Sequence, residues 1–279
     1  MDRTRVTRWL AAARRSARRL HAGGFSAQQR LHLAALLIVI VALPLYAQND
    51  IEFNPATTQE EFAQFSRTMG QAIFATPVQP ARATSLIGFD IGVAATLVKI
   101  DENASWWRHA VPANSDFLTG GGYAAVPRLV ASKGFGFATI SGTYAKVQNS
   151  DVKTYGGAID VPIVRGSALT PELAARGSYA TISGVDVYKL KTYGLELFLS
   201  KGFGPITPYA AIGRQRTNAT GTVSSPNPTL LPADRTLTDT SNINRYTAGI
   251  RFSLLVPKIV IEATRAEVTG YAAKISVGF

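Results

Sequence analysis

The chain has 279 residues, a formal net charge of +11 and no cysteine. The absence of cysteine excludes disulfide bonds, thiolate metal sites, a cysteine nucleophile and a lipid-modified cysteine. Eight of the 29 basic residues but one of the 18 acidic residues precede residue 48, so residues 48–279 carry 21 basic and 17 acidic residues, about +4. Most of the excess charge belongs to the N-terminal segment, and we therefore set nucleic-acid binding aside.

Residues 1–47 have the pattern of an export signal. Arginines fill the first part, an apolar run follows at 31–43, and Pro44 and Ala47 fit a cleavage site after Ala47. The apolar run is short for a membrane-spanning helix, which needs roughly 20 residues. The sequence predicts a signal peptide at 1–47, and an uncleaved N-terminal anchor is the alternative.

Residues 48–82 contain a predicted amphipathic helix. Thr58 and Glu61 have the spacing of a capping box. Apolar side chains then recur on one helical face, at Phe62, Phe65, Met69 and Ile73. Prolines at 77 and 80 end the pattern.

From about residue 83 to residue 279 the apolar residues recur with period two, which is typical of strands with one apolar face. In one such strand, Tyr193, Leu195, Leu197 and Leu199 alternate with Gly194, Glu196, Phe198 and Ser200. We predict ten strands near 85–100, 121–131, 136–147, 153–164, 173–183, 188–200, 206–217, 243–255, 258–267 and 270–279.

The connections between these strands differ in length. Those at 132–135, 165–172, 201–205 and 256–257 are mostly short, whereas 101–120 and 218–242 are long and polar, and both long loops fall on the same side. Short periplasmic turns opposite long external loops, with an even number of strands, are typical of outer-membrane proteins. The sequence therefore predicts an all-β fold, a closed antiparallel transmembrane β-barrel of about ten strands at 83–279.

The C-terminal strand carries the most specific signal. Apolar or aromatic residues occupy every second position up to the last residue, at Tyr271, Ala273, Ile275, Val277 and Phe279. This strand resembles the terminal strand of proteobacterial outer-membrane β-barrels, in particular of families with a short N-terminal helix. The resemblance covers about residues 85–279 and implies an outer-membrane location, outer-membrane lipid and lipopolysaccharide as surroundings, and recognition of Tyr271, Ile275, Val277 and Phe279 by the barrel assembly machinery.

The helix at 48–82 has two interpretations in such a fold. It lies in the barrel mouth or on the periplasmic side, where it could plug the lumen, or it is a leader that merely precedes the barrel.

Few residues support catalysis or metal binding. Only His109 remains after residue 47, and Trp106 and Trp107 beside it are explained by an interfacial girdle or by loop packing. Carboxylates occur in the predicted external loops, at Asp101, Glu102, Asp234 and Asp239, without the spacing of a calcium loop. We expect no enzyme activity, no cofactor and no metal site.

Charged residues at inward-facing positions are the candidate functional residues. They are four acids and four bases, namely Asp90, Arg128, Asp160, Arg176, Glu196, Arg251, Glu262 and Lys274. Arg176 is the least secure, because the alternation in its strand allows either face. Charges inside the barrel must be paired or hydrated, so a balanced network predicts a structural plug, and water between the charges predicts a narrow pore.

Two functions follow. The barrel is a narrow channel or small-molecule passage, with an ion or small molecule as substrate, or it is a non-conducting structural or surface-interaction protein that uses its external loops.

Overall fold

The computed structural model describes residues 51–82, 86–111, 122–146, 152–167, 169–224, 234–254 and 256–278. The predicted signal peptide, the terminal Phe279 and parts of both predicted long loops lie outside the described residues. The described residues contain two helices and ten strands: α1 (Gln59–Ile73), β1 (Phe89–Lys99), α2 (Ser105–Arg108), β2 (Tyr123–Gly134), β3 (Thr139–Lys146), β4 (Lys153–Val164), β5 (Glu172–Ser183), β6 (Tyr188–Ser200), β7 (Ile206–Val223), β8 (Arg235–Ser253), β9 (Pro257–Arg265) and β10 (Thr269–Gly278).

The strands form one closed barrel in which each strand pairs antiparallel with its neighbours in sequence. Closure is made by β1 and β10, where Val93 lies opposite Ile275. The predicted ten-stranded barrel is confirmed, and strands bound on both sides leave no unpaired edge. In the described part of the chain, no helix is long and apolar enough to cross a bilayer.

The outer surface of the barrel carries an apolar band suited to lipid. On β6, Leu195, Leu197 and Leu199 point outward with 66%, 47% and 51% of their surface exposed. Tyrosines border the band toward the long connections, as the pairs Tyr144–Tyr155 and Tyr179–Tyr193 with ring centroids 5.3 and 5.2 Å apart. Aromatic girdles of this kind mark the membrane interface, so the chain is an outer-membrane barrel. We call the end with the long connections the outer end and the other end the periplasmic end.

Strands β7 and β8 extend well beyond the membrane band. The sequence predicted a loop at 218–242, but the strands continue to Val223 and resume at Arg235, and this part of the prediction is wrong. Between Arg235 and Tyr246, toward the outer end, the outward positions of β8 hold polar residues that are exposed to water, whereas the inward-facing Leu237 and Ser241 are buried. The apolar alternation therefore stops at the membrane boundary while the backbone pairing continues for about ten more residues, roughly 30 Å.

Helix α1 begins at the outer end of the barrel and is enclosed by its wall. The predicted capping box is present, because the Glu61 backbone N–H donates to Thr58 Oγ1 at 3.2 Å and the Thr58 N–H donates to Glu61 Oε2 at 2.9 Å. The Gln59 side chain donates to the Thr238 carbonyl at 2.6 Å, and the Gln71 side chain donates to the Val268 carbonyl at 2.9 Å.

Residues beyond the predicted apolar face of α1 are buried as well. Besides Phe62, Phe65, Met69 and Ile73, the buried positions include Ser66, Thr68, Gly70 and Gln71, which lie on other faces. A helix surrounded on all sides neither precedes the barrel as a separate leader nor lies on the periplasmic side. The placement on the periplasmic side is therefore wrong.

The chain then runs through the lumen to the periplasmic end. The Phe74 ring lies against Gly194, where an added Cβ would come within 2.3 Å of it. The Thr139 hydroxyl, at the start of β3, donates to the Arg82 carbonyl at 2.8 Å. Residues 51–82, which we call the lumen segment, thus pass from the outer end to the periplasmic end before β1 begins.

A charge placed in the lipid-facing band tests this orientation. We expect Leu197→Arg to lower the free energy of unfolding by about 2–4 kcal/mol, because the side chain faces acyl chains. Thr220→Arg is the matched control, since Thr220 is exposed on the part of β7 that lies in water. Chemical denaturation in lipid vesicles measures the free energy of unfolding of both variants. Equal losses would contradict the assignment of Leu197 to the lipid-facing band and of Thr220 to water.

Candidate functional site in the barrel lumen

The eight predicted charged residues all lie on the inner face of the barrel. Seven are buried, with Arg176 at 0% exposure and Asp160 at 1%, and Arg251 is partly exposed. Arg176 pairs in register with Asp160 on β4 and Glu196 on β6, which settles the ambiguous alternation of β5 in favour of the lumen.

Asp160 and Arg176 form a two-bonded ion pair near the middle of the wall. Arg176 Nε donates to Asp160 Oδ1 at 2.6 Å, and an Nη of the same guanidinium donates to Asp160 Oδ2 at 2.9 Å. That Nη also donates to the Gln79 carbonyl of the lumen segment at 3.0 Å, and the guanidinium stacks 4.4 Å from the Phe198 ring centroid. The pair therefore ties two strands to the lumen segment.

Glu196 and Arg245 form a second group around Phe74. Arg245 Nε donates to Glu196 Oε1 at 3.4 Å, and Arg245 Nη1 donates to Gln215 Oε1 at 2.9 Å. The same guanidinium lies 3.8 Å from the Phe74 ring centroid, a cation–π contact with the lumen segment. Arg245 was missing from the predicted set, although its even spacing from Arg251 placed it on the inner face.

Glu262 is held by hydroxyl groups. Tyr209 donates to Glu262 Oε2 at 2.8 Å, and Thr76 of the lumen segment donates to Glu262 Oε1 at 3.5 Å. Tyr209 is buried inside the barrel, and no sequence pattern distinguished it from the outward tyrosines of the girdle.

Arg128 holds the C-terminal end of α1. Its two terminal nitrogens donate to the Phe74 carbonyl at 2.7 Å and the Ala72 carbonyl at 2.8 Å. Carbonyls at the end of a helix lack partners within the helix and carry partial negative charge, so a guanidinium is a suitable partner. The barrel wall thereby caps the helix.

Asp90 is the centre of a third group, at the periplasmic end. Its carboxylate accepts hydrogen bonds from Lys274 at 3.0 Å, Ser276 at 3.0 Å and Lys258 at 3.1 Å. Lys274 also donates to the Gln79 side chain at 2.7 Å, which is another contact between the wall and the lumen segment.

The charged residues of the lumen extend beyond the predicted four acids and four bases. In the described strands, the inner face also carries the bases Arg235, Arg245 and Lys258 and the acids Glu172 and Asp239, and the lumen segment brings charges of both signs, among them Arg67 and Arg82. The sequence interpretation considered only part of each strand and no charge from the segment that enters the lumen. Positive charge predominates locally at the periplasmic end, around Arg82, Arg251, Lys258 and Lys274.

A cavity of about 260 Å³ lies at that end. Its charged lining consists of Arg82, Asp90, Arg251, Lys258 and Lys274. A second cavity of about 20 Å³, beside Arg245 and Glu262, is large enough for about one water molecule.

The outer end is closed by aromatic packing. Phe53, Phe62, Phe65 and Tyr188 have ring centroids 5.3–6.0 Å apart, and Trp107 lies 6.1 Å from Phe65. Trp107 is buried in this cluster, so it is a loop-packing residue and the girdle interpretation is wrong for it.

His109, the sole histidine after residue 47, lies beside the helix cap. Its Nδ1 is 3.0 Å from Glu61 Oε2. Partial burial by itself would raise the pKa of Glu61, but hydrogen bonds from Ser105, Thr58 and His109 lower it to about 2. The carboxylate is therefore ionised at neutral pH and serves as the acceptor of the capping box.

The loop carboxylates do not assemble into a site. The Asp239 carboxylate lies 3.8 Å from Arg67 of α1, and Asp101 accepts a hydrogen bond from the Asn103 backbone at 3.0 Å. Among the described residues, no group of three or more His, Asp or Glu side chains could hold a metal ion.

The predicted assembly residues lie on the outer face of β10. Tyr271 and Val277 are 45% and 43% exposed, and Ile275 is partly buried. All three pair with β1, so the strand proposed to be recognised is also the strand that closes the barrel.

Similarity to solved structures is weak. The N-terminal β-barrel domain of Pseudomonas aeruginosa OprF matches 70% of this chain and 98% of that domain at 12% identity, with a TM-score of 0.33. Neisserial surface protein A matches 68% of this chain and 94% of its own at 10% identity and 0.26. Ail, the attachment invasion locus protein of Yersinia pestis, matches 68% and 95% at 14% identity and 0.27.

At these TM-scores and identities, no role passes from those proteins to this chain. No protein-family model matches the sequence, and no curated protein is similar to it.

The Asp160–Arg176 pair gives a stability prediction. We expect Arg176→Met to lower the free energy of unfolding by about 3–5 kcal/mol, because Asp160 is left as an unpaired buried charge. Adding Asp160→Asn to that variant should recover part of the loss. Denaturation of the single and double variants in lipid vesicles measures the coupling, and strictly additive losses would contradict it.

Proposed function

We propose that this outer-membrane barrel is closed at rest by its own lumen segment and acts as a structural or surface-interaction protein that displays the β7/β8 hairpin outside the cell. Residues 51–82 run through the lumen and contact the wall at both ends and between them, and this path is the main support for the proposal.

The aromatic cluster at the outer end supports a stable closure. Phe62 and Phe65 of α1 are 0% and 1% exposed, and their burial stabilises the seated helix by about 1.5–3 kcal/mol each. The Tyr188 hydroxyl, on β6, donates to Ser66 Oγ at 3.2 Å. Withdrawal of the helix would expose all of these groups to water.

Polar contacts support closure at the level of the membrane. Arg176, Arg128 and Lys274 of the wall each donate to an oxygen of the lumen segment. Removing the segment would leave these buried cations with fewer partners, which is costly in a confined site. The lumen segment is thus held by charge-assisted hydrogen bonds as well as by apolar packing.

The outer surface supports a role at the cell surface. In the described strands every acidic side chain faces inward, whereas basic side chains face outward beyond the tyrosines. These outward bases are Lys99, Lys146, Lys153, Lys189, Lys191, Arg214, Arg216 and Arg265. Cations at this level complement the phosphates of lipopolysaccharide, the partner that we propose for this surface.

A narrow, gated passage is the second candidate. The cationic cavity at the periplasmic end favours it, because a charged vestibule is what a selective pore requires. In that case the lumen segment is the gate, and its departure opens the path.

Conductance measurements separate the two functions. We expect the refolded wild-type protein to be silent in planar bilayers, since the lumen segment occupies the path. Arg128→Ala, which removes the contacts with the Ala72 and Phe74 carbonyls, should give intermittent current steps. Folding is verified by the difference in gel migration between the unboiled and the boiled protein, and insertion by flotation of the protein with lipid vesicles.

A disulfide lock provides the control. An added Cβ at Gly156 would lie 2.7 Å from the Ala75 Cβ, so a cysteine pair at 75 and 156 needs the two to separate by about 1 Å to reach disulfide geometry. Oxidation should silence an Arg128→Ala protein that carries this pair, and reduction should restore its steps. Regular steps from the wild-type protein would refute closure at rest and favour the passage.

Surface display is tested by labelling in intact cells. The chain contains no cysteine, so a single introduced thiol reports one position. We expect Thr220→Cys, on the outer hairpin, to react with a membrane-impermeant maleimide. Leu169→Cys, in a periplasmic turn where Leu169 is 91% exposed, should react only after permeabilisation. The reverse pattern would invert the orientation and remove the proposed role.

A further inference from the structure

The periplasmic cavity has a lining suited to a negatively charged ligand. Of the residues that the structure describes, four basic side chains and one carboxylate, that of Asp90, line it. Hydroxyl groups of Ser132, Thr139, Ser253 and Ser276 also line it. At about 260 Å³ the space exceeds what a few waters need and can hold a small ligand.

Two of the four bases lack an acidic partner. Asp90 accepts from Lys258 and Lys274, and within the described part of the chain neither Arg82 nor Arg251 forms an ion pair. Arg251 donates to Thr207 Oγ1 at 3.1 Å, whereas its Nε is buried without a hydrogen-bond partner. Guanidinium groups with free donors are suited to oxyanions, which they bind through parallel N–H···O bonds.

The remaining charges around Arg251 do not neutralise it. The positive charge of Arg82 repels the Arg251 guanidinium, whereas the carboxylates of Asp90 and Glu172 attract it. Asp90 is already shared by two lysines, and Glu172 lies at the first position of β5 and is not among the lining residues. The lining therefore keeps a net positive charge that a bound anion would offset.

We propose that this cavity is a binding site for a phosphate-type oxyanion, held between Arg82 of the lumen segment and Arg251 of the wall. The ligand is a free phosphate, a small phosphorylated molecule or the headgroup of a phospholipid, which share the same tetrahedral dianionic or monoanionic group. Because Arg82 and Arg251 belong to different parts of the fold, the anion bridges the lumen segment to the barrel and stabilises the seated segment. This inference rests on the seated position of the lumen segment, as the proposed closure does, but it does not require that the barrel conduct.

Binding of inorganic phosphate to the refolded full chain, in a zwitterionic detergent at 0.15 M salt, tests the proposal by isothermal titration calorimetry. We expect saturable binding that Arg251→Gln and Arg82→Gln each weaken at least about tenfold, as expected for the loss of a charge-assisted hydrogen bond. Lys133→Gln is the matched control, since Lys133 is an exposed base at the same end that does not line the cavity. Gel migration before and after boiling verifies that each variant folds.

A lipid probe identifies the source of the phosphate group, and a chloride competition tests the selectivity of the site. A short-chain phosphatidylglycerol that binds where inorganic phosphate does not, with the same loss in Arg251→Gln, supports the site with a lipid headgroup as its ligand. Chloride at equal ionic strength should not compete. Absence of binding by both probes, or equal binding by the wild type and Arg251→Gln, would overturn the proposal. Conductance plays no part in these measurements, so absence of binding by a protein that is silent in planar bilayers would remove the anion site without removing the proposed closure.

Discussion

Closure of the β1–β10 ladder is the constraint on which the rest of this structure depends. In lipid, a strand edge with unpaired backbone groups costs several kcal/mol per group, so a transmembrane sheet must close on itself. Closure with alternating side chains then leaves the lumen as the only place at membrane level for a charged residue. The acids of the described strands accordingly all face inward, and outward positions within the band are apolar. The orientation of every candidate site residue follows from that single requirement.

A ten-stranded barrel is wider than its own inward side chains can fill, since eight strands nearly reach that limit. The lumen segment occupies the remaining space, and its contacts with the wall differ along its path. At the outer end, above the tyrosines, aromatic side chains of α1 pack against the wall as in the core of a soluble protein. At membrane level, backbone carbonyls and Phe74 are held by arginines of the wall. Near the periplasmic end the packing gives way to the cationic cavity.

In these three zones the lumen segment is held by different kinds of interaction. Its part at the outer end is held by apolar burial, which is independent of salt. Its part at membrane level and near the periplasmic end is held by hydrogen bonds to charged side chains of the wall. Arg82 is repelled by the nearby Arg251. An anion that joins the two arginines would convert this repulsion into a link. The proposed anion site and the proposed closure are therefore physically related, even though each stands on its own contacts.

The architecture was largely predictable from the sequence, because lipid and water impose a period-two pattern on each strand and loop length reveals the two ends. The same reasoning placed Asp90, Glu196 and Lys274 on the inner face and recognised the capping box of Thr58 and Glu61. It ended β7 too early and began β8 too late, since outside the bilayer the outward face of a strand can be polar while its hydrogen bonds continue.

Only the tertiary structure determined which partner each charged side chain has. Asp160 with Arg176 joins neighbouring strands, but the contacts of Arg128 with Ala72 and Phe74, and of Arg82 with the periplasmic cavity, depend on a segment whose path no local pattern specifies. By itself the sequence determined that a membrane barrel forms and that eight of its charged residues face the lumen. The path of residues 51–82 through that barrel, and the cavity that it leaves, arise from contacts between parts of the chain far apart in sequence.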